Sequence, residues 1–192
     1  NMAGAGGGMS ISHYSYPTLN YVTISANTAD ALSSFGGGIL ISDSNPTLSH
    51  VIISENTTLS SSYPDHQILS KGGGVYLINS NPILTNLTLA GNMTVGYGGG
   101  MVLVASSNPN LINSIIWNNN PESIYIYSGA PLITYSDIEG GWEGEGNIDV
   151  NPIFTDPQNG DYTLQEGSPC IDMGIVIEDM EYCGDAPDMG AF

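Results

Sequence analysis

The sequence predicts an all-β solenoid, in which short strands coil round and stack on copies of themselves. Three observations predict it. A phrase made of a glycine triplet, a β-rich run, a proline, a second β-rich run and an asparagine recurs from Gly6, Gly36, Gly72 and Gly98. Within each run apolar residues alternate with polar ones, the period of a strand buried on one face. The distance from proline to asparagine is the same in every copy, ten residues, while the distance from one proline to the next varies from 22 to 36.

The prolines anchor the register. Two residues after Pro17, Pro46, Pro82, Pro109 and Pro131 come Leu19, Leu48, Leu84, Leu111 and Ile133. Seven residues after them come Ile24, Ile53, Leu89, Ile116 and Ile138, and ten after them come Asn27, Asn56, Asn92 and Asn119, with Gly141 breaking the column. A repeat this short cannot bury its apolar face alone and becomes stable when copies stack. Equivalent residues then lie about 4.8 Å apart along the axis, as interior ladders of Ile, Leu and Val. The asparagine column reads as an internal turn ladder. The glycosylation sequons at Asn56, Asn86 and Asn92 are its competing reading. The glycine triplets occupy corners.

Variation in repeat length falls between the asparagine and the next glycine triplet. The longest such insertion, 57–71, carries Tyr63, His66 and the only lysine, Lys71. Insertions at one corner emerge on one side, where repeat proteins place specific contacts. The coils are expected over residues 1–139. From about Gly140 the repeat stops, and 140–192 reads as an irregular, acidic C-terminal cap. Of the 19 acids, 14 lie from Asp137 onward.

Composition narrows the partners. A net charge of −18 with one Lys or Arg excludes nucleic acid and anionic membrane surfaces, which need clustered cations. No apolar run is long enough for membrane insertion. Acidity and a hydroxyl- and amide-rich composition suit an extracellular or cell-surface setting. The chain starts near the middle of a repeat, as a fragment or processed form would. Cys170 and Cys183, 13 positions apart, are expected to close a disulfide worth about 3 kcal/mol, with two unpaired thiols as the alternative.

Two stretches carry a family resemblance. The phrase Gly-Gly-Gly-Ile-x-Ile…Asn-Pro-Thr-Leu…Asn resembles the repeats of the right-handed parallel β-helices of the pectate-lyase-like superfamily. The tail Asn151-Pro152-Ile153-Phe154…Gly160-Asp161-Tyr162…Gly167-Ser168-Pro169-Cys170…Asp188-Met189-Gly190-Ala191-Phe192 looks like the closing segment of large secreted bacterial or archaeal β-helix proteins. The resemblance implies one right-handed parallel β-helix of about five coils with a C-terminal cap. It leaves function open, since the superfamily includes lyases, hydrolases, adhesins and surface proteins.

The chemistry is sparse. A lyase of that superfamily uses an Arg or Lys base with Ca²⁺, and Lys71 stands alone. A glycosidase needs two carboxylates roughly 5–9.5 Å apart. Asp137 and Glu139 alternate onto one face, and solvated charges near the cap are the preferred reading of them. His13 and Asp43 become neighbours if the first coil carries a bulge. His50 shares an outward column with Tyr21, Asn86, Asn113 and Tyr135. Tyr21, His50 and Tyr135, with Tyr63 and His66 of the long insertion, are the candidate carbohydrate-binding residues, and an ordinary strand surface is the preferred reading of the column. Tyr14, Tyr16, Tyr125, Tyr127 and Trp117 are further rings outside the core pattern. Asp156, Asn159 and Asp161 form an oxygen-rich turn, the candidate Ca²⁺ site, and Glu143, Glu145 and Asp149 form another. Asx turns with solvated carboxylates are the preferred reading of both. Thr rows are too broken for an ice-binding face.

The expected function is a secreted or cell-surface module, non-catalytic in these residues, serving as a scaffold or in carbohydrate or surface adhesion, with end-to-end self-association. The alternative is the C-terminal part of a polysaccharide lyase or glycoside hydrolase whose catalytic coils lie upstream.

Overall fold

The computed structural model describes residues 2–60, 70–178 and 180–191. Three parallel sheets run along one axis, and the chain crosses each in turn. A short sheet contains Met2–Ala3, Thr28–Ala31, Thr57–Ser60 and Met93–Thr94. A second sheet follows the glycine triplets and contains Met9–Ile11, Ile39–Ser42, Val75–Ile78, Met101–Val104 and Ile124–Ile126. The third, long sheet contains Thr18–Ser25, Thr47–Ser54 and Ile83–Ala90, then the split strands Asn110–Ile112 with Ile115–Trp117 and Leu132–Thr134 with Asp137–Ile138. The molecule is a parallel β-helix.

Register follows the proline-anchored columns residue for residue. Leu19 pairs with Leu48, Leu48 with Leu84, Leu84 with Leu111 and Leu111 with Ile133. Ile24, Ile53, Leu89, Ile116 and Ile138 align in the same way. These columns, with Ile39, Ile41, Leu77, Met101 and Leu103 from the second sheet, form one apolar core along the axis.

Inside that core the asparagines form a continuous ladder. The backbone N–H and the Nδ2 of Asn27 both donate to Asn56 Oδ1 at 3.0 Å. Asn56 donates in the same two ways to Asn92, and Asn92 to Asn119, each at 3.0 Å. Asn56 Nδ2 also donates to Ile24 O at 2.8 Å, Asn92 Nδ2 to Ile53 O at 2.9 Å and Asn119 Nδ2 to Leu89 O at 2.8 Å. Asn56 and Asn92 thus tie their own corners to the coils on both sides. Asn56, Asn86 and Asn92 are fully buried, which closes the sequons to a glycan in the folded protein.

The triplet Gly36–Gly38 shows why glycine recurs at the neighbouring corner. Gly36 has φ 62°, where L-residues are disfavoured. A Cβ on Gly37 would run into the carbonyls of Gly73 and Thr57, and one on Gly38 would lie 2.9 Å from Asn56 Nδ2. The triplet therefore makes room for the ladder.

Two further ladders flank the prolines. The backbone N–H of Ser15, Ser44 and Ser80 donates to the hydroxyl of Ser44, Ser80 and Ser107 respectively, at 3.0–3.2 Å. On the outside, Asn81 N donates to Asn45 Oδ1 at 2.7 Å, and Asn108 N donates to Asn81 Oδ1 at 2.8 Å.

Beyond the last full coil, Ile148 bridges Asp137 and prolongs the helix by part of a turn, with Trp142 packed on the inner core. The chain then folds back along the outside of the long sheet. A hairpin of Phe154–Asp156 and Asp161–Leu164, joined through the 3-10 turn Pro157–Asn159, lies first. The final segment follows, held where Asn113 Nδ2 donates to Ile175 O at 2.9 Å and Asn86 Nδ2 to Asp188 O and Gly190 O at 3.0 and 2.9 Å. Ile115, Cys170 and Met189 form a small outer core beneath it.

The disulfide expectation is corrected here. Cys170 and Cys183 are both free thiols. Cys170 is drawn into the outer core and its Sγ donates to Asp137 Oδ2 at 3.2 Å, whereas Cys183 stays exposed. Under native conditions a thiol reagent should therefore label Cys183 alone, and Cys170 only after unfolding. Labelling of neither, with a mass short of two hydrogens, would restore the disulfide.

The ladder also sets a stability expectation. Asn56→Ala leaves the Asn27 N–H without an acceptor and Ile24 O without that donor in a dry interior, at about 1–3 kcal/mol for each unsatisfied group. A loss of about 3 kcal/mol in urea unfolding is expected, and a loss below about 1 kcal/mol would show that the ladder is dispensable.

Candidate functional site

The outward column that carries His50 lies at a bend in the long sheet. Tyr21, His50, Asn86, Asn113 and Tyr135 all have positive φ, between 48° and 53°. The bend splays their side chains onto the outer face, and the returning tail divides the column. Asn86 and Asn113 are buried beneath it and hold it by the bonds described above. Tyr21 and His50 lie on the side the tail only overhangs. Their rings stack with centroids 4.7 Å apart and planes 27° apart. His50 Nδ1 lies 2.9 Å from Ser49 Oγ, and partial burial lowers the imidazole pKa, which favours the neutral ring.

Above this stack the overhang makes a groove of about 640 Å³, walled by Met180, Tyr182, Cys183 and Pro187. It continues into a smaller recess of about 390 Å³ past Thr47, Thr85 and Ile177. Asn86 lies in the groove as well, and its Oδ1 is buried with no hydrogen-bond partner among the described residues. The structure thus brings two of the predicted residues, Tyr21 and His50, to one site. Tyr135 stands apart, its hydroxyl donating to Glu145 Oε1 at 2.8 Å. Tyr63 and His66 lie outside the described residues.

The other candidates are used locally. Asp156 Oδ2 accepts from Asn159 Nδ2 at 2.7 Å across the hairpin turn, and Asp161 Oδ1 accepts from Thr163 N and Oγ1 at 3.0 and 2.6 Å. Those last bonds hold the Asp161 carboxyl below its usual range. Among the described residues no group of three or more His, Cys, Asp or Glu side chains is placed to hold a metal ion. Asp43 accepts from Asn79 Nδ2 at 2.7 Å, and this bond lowers its pKa more than the nearby His13 does. Lys71 takes its place in the coil, bridging Phe35 and Tyr97, with Nζ 4.4 Å from the centroid of the Tyr127 ring. Tyr97, absent from the sequence candidates, stacks on Tyr125 at 4.7 Å.

Asp137 departs from the solvated charge expected near the cap. It is completely covered by the returning tail. Burial raises its pKa to about 6, against the opposing pull of hydrogen bonds from Val150 N and the Cys170 thiol, while Asp149 and Glu139 add repulsion. Burial, and then the adjacent Asp137, push the Cys170 thiol upward in turn. No polymer can reach this carboxyl in the folded state, a requirement for a general acid or base.

Comparison with known families agrees with the geometry. Residues 2–149 match the model of the right handed beta helix region, and the chain belongs to that family. Comparison with curated proteins and with solved structures gave no match. The family specifies the right-handed scaffold and assigns no ligand to it.

The Asp137 environment fixes a pH dependence. Its folded pKa of about 6 lies above the 3.8 of an unperturbed aspartate, so the folded state holds a proton that the unfolded state releases between those values. The resulting stability is present at pH below 3.8 and is lost as pH rises through about 6. Above that, the charge costs ~3 kcal/mol by linkage. Asp137→Asn, which keeps an acceptor for Val150 N, should raise stability by about 2 kcal/mol at alkaline pH and hardly at all in mild acid. An equal gain in both conditions, measured by urea unfolding, would contradict this origin.

Proposed function

We propose that the chain is a non-catalytic, extracellular or cell-surface β-helix module that binds neutral polysaccharide. The groove over the Tyr21–His50 stack is the proposed site. The observation that supports this reading is the stacked pair on the groove floor beside an unpartnered buried acceptor, Asn86 Oδ1. Concave sites that combine aromatic surface with a few convergent polar groups are the usual form of ligand sites. A sugar ring presents an apolar C–H face to such rings.

Charge favours a neutral polymer. The net charge is −18, and Glu181 and Asp188 stand at the groove, so uronates and sulfated glycans are repelled. Binding without turnover fits the chemistry of the described residues: Lys71 is engaged over Tyr127, and Asp137 is sealed beneath the tail.

Affinity electrophoresis in gels containing neutral or acidic polysaccharides tests the reading. Retardation should occur with a neutral polymer, persist in chelator and weaken about tenfold in Tyr21→Ala, the equivalent of about 1.4 kcal/mol. New reducing ends or unsaturated products on incubation would turn the assignment to an enzyme. Retardation by no polymer would leave the scaffold alone.

A further inference from the structure

A second cleft, of about 590 Å³, opens where the C-terminal hairpin leans against the corner that follows the long sheet. The corner side is one column, Glu55, Gly91 and Asn118, with Trp117 beside it. The facing side is the hairpin, where Phe154 and Tyr162 meet edge to face at 5.2 Å and Gln158 lines the turn. Ring surface thus comes from both walls, and side-chain amides come from Asn118 and Gln158.

Glu55 is the informative residue. Its column has positive φ throughout: Ala26 53°, Glu55 56°, Gly91 65° and Asn118 54°. Glycine and asparagine accept that conformation readily, whereas glutamate is disfavoured there. Glu55 is nonetheless exposed on its own coil, with Oε1 3.4 Å from the hydroxyl of the buried Tyr162. That long contact crosses between the walls and leaves most of the carboxylate's acceptor capacity free.

Among the described residues no lysine, arginine or histidine lines the cleft. An anionic ligand would meet Glu55 uncompensated, in a chain of net charge −18. Neutral hydroxyls match a free carboxylate and two amides, and an apolar ring face matches Trp117 and Phe154. We propose that this cleft binds a neutral hexopyranose unit, with Glu55 accepting from its hydroxyls and Trp117 stacking on its C–H face. The proposal shares its ligand class with the carbohydrate reading above and adds a site on a different face, served by other residues.

Titration of the ¹⁵N-labelled chain with neutral mono- and oligosaccharides, followed by NMR, separates the two sites. Saturable shifts are expected at the Trp117 indole N–H and at the amides of Asn118 and Gln158, with Kd on the order of 1–10 mM. The Trp142 indole, packed at the end of the inner core, is the internal reference. Glu55→Gln should weaken this binding at least about fivefold with the spectrum otherwise kept, and Tyr21→Ala should leave it unchanged. Should Glu55→Gln fail to fold, Gln158→Ala on the exposed turn makes the same test. Shifts confined to Tyr21, His50 and Asn86 would overturn the cleft and leave the groove standing. Shifts nowhere, with any neutral sugar up to about 100 mM, would overturn both. Tighter binding of an amino sugar than of its neutral counterpart would overturn the assigned ligand class.

Discussion

The structure depends on how its corners satisfy the backbone where strands stop. A parallel sheet supplies partners only along its strands, and a solenoid with several turns per coil risks many buried, unpaired peptide groups. The asparagine ladder removes that risk at one corner by letting a side-chain amide imitate a peptide, accepting from and donating to the backbone of the preceding coil while its Nδ2 also reaches the asparagine of the next. Serine hydroxyls do the same work beside the prolines. Because each rung is shared, the ladder couples neighbouring coils and fixes their register. The spacing from proline to asparagine is therefore constant, while other lengths drift.

Fixing the interior leaves the exterior free to differ from coil to coil. The bend column shows this most clearly: one backbone conformation is occupied by Tyr21, His50, Asn86, Asn113 and Tyr135. Where the residue is asparagine, it binds the tail. Where it is aromatic on the first coils, it faces the groove. The scaffold supplies positions at regular spacing, and the local residue decides whether a position holds the chain or faces a ligand.

How far the sequence revealed this follows the same division. Inward columns were legible because an interior ladder demands like residues at like positions, so Leu19 to Ile133 and Asn27 to Asn119 stand out in a single chain. The serine ladder left a signal too, at two residues before each of the first four prolines, but serine is common enough here to hide it. The tail had no repeat to align. Its course along the long sheet rests on Asn86, Asn113 and Thr88, whose roles depend on segments about a hundred or sixty residues away. Cys170 pairs with an aspartate in place of Cys183 for the same reason: thirteen residues of separation say nothing about which side of the sheet each sulfur reaches. The cleft at Glu55 was illegible because its two walls belong to the coil and the hairpin. Only Trp117 marked it.

The distribution of acids has a physical reading that the same contacts supply. In full coils the N–H after a corner donates to the carbonyl of the next coil, as Gly36 N does to Lys71 O and Gly72 N to Tyr97 O. The coil after Gly98 lacks a glycine triplet, and there Glu122 Oε1 accepts from Gly98 N at 2.7 Å. One step further on, Glu139 Oε2 accepts from Asn118 N at 2.6 Å and Asp149 Oδ1 from Gly140 N at 3.2 Å. At these corners carboxylates of the last, shortened coils stand in for the backbone carbonyls that serve in the earlier ones. Glu122, Glu139 and Asp149 thus have a structural role where the stack shortens, since a carboxylate is a strong acceptor for donors left without a carbonyl. That account needs no cation, and it separates these acids from Glu55, which sits in mid-stack beside a continuing coil.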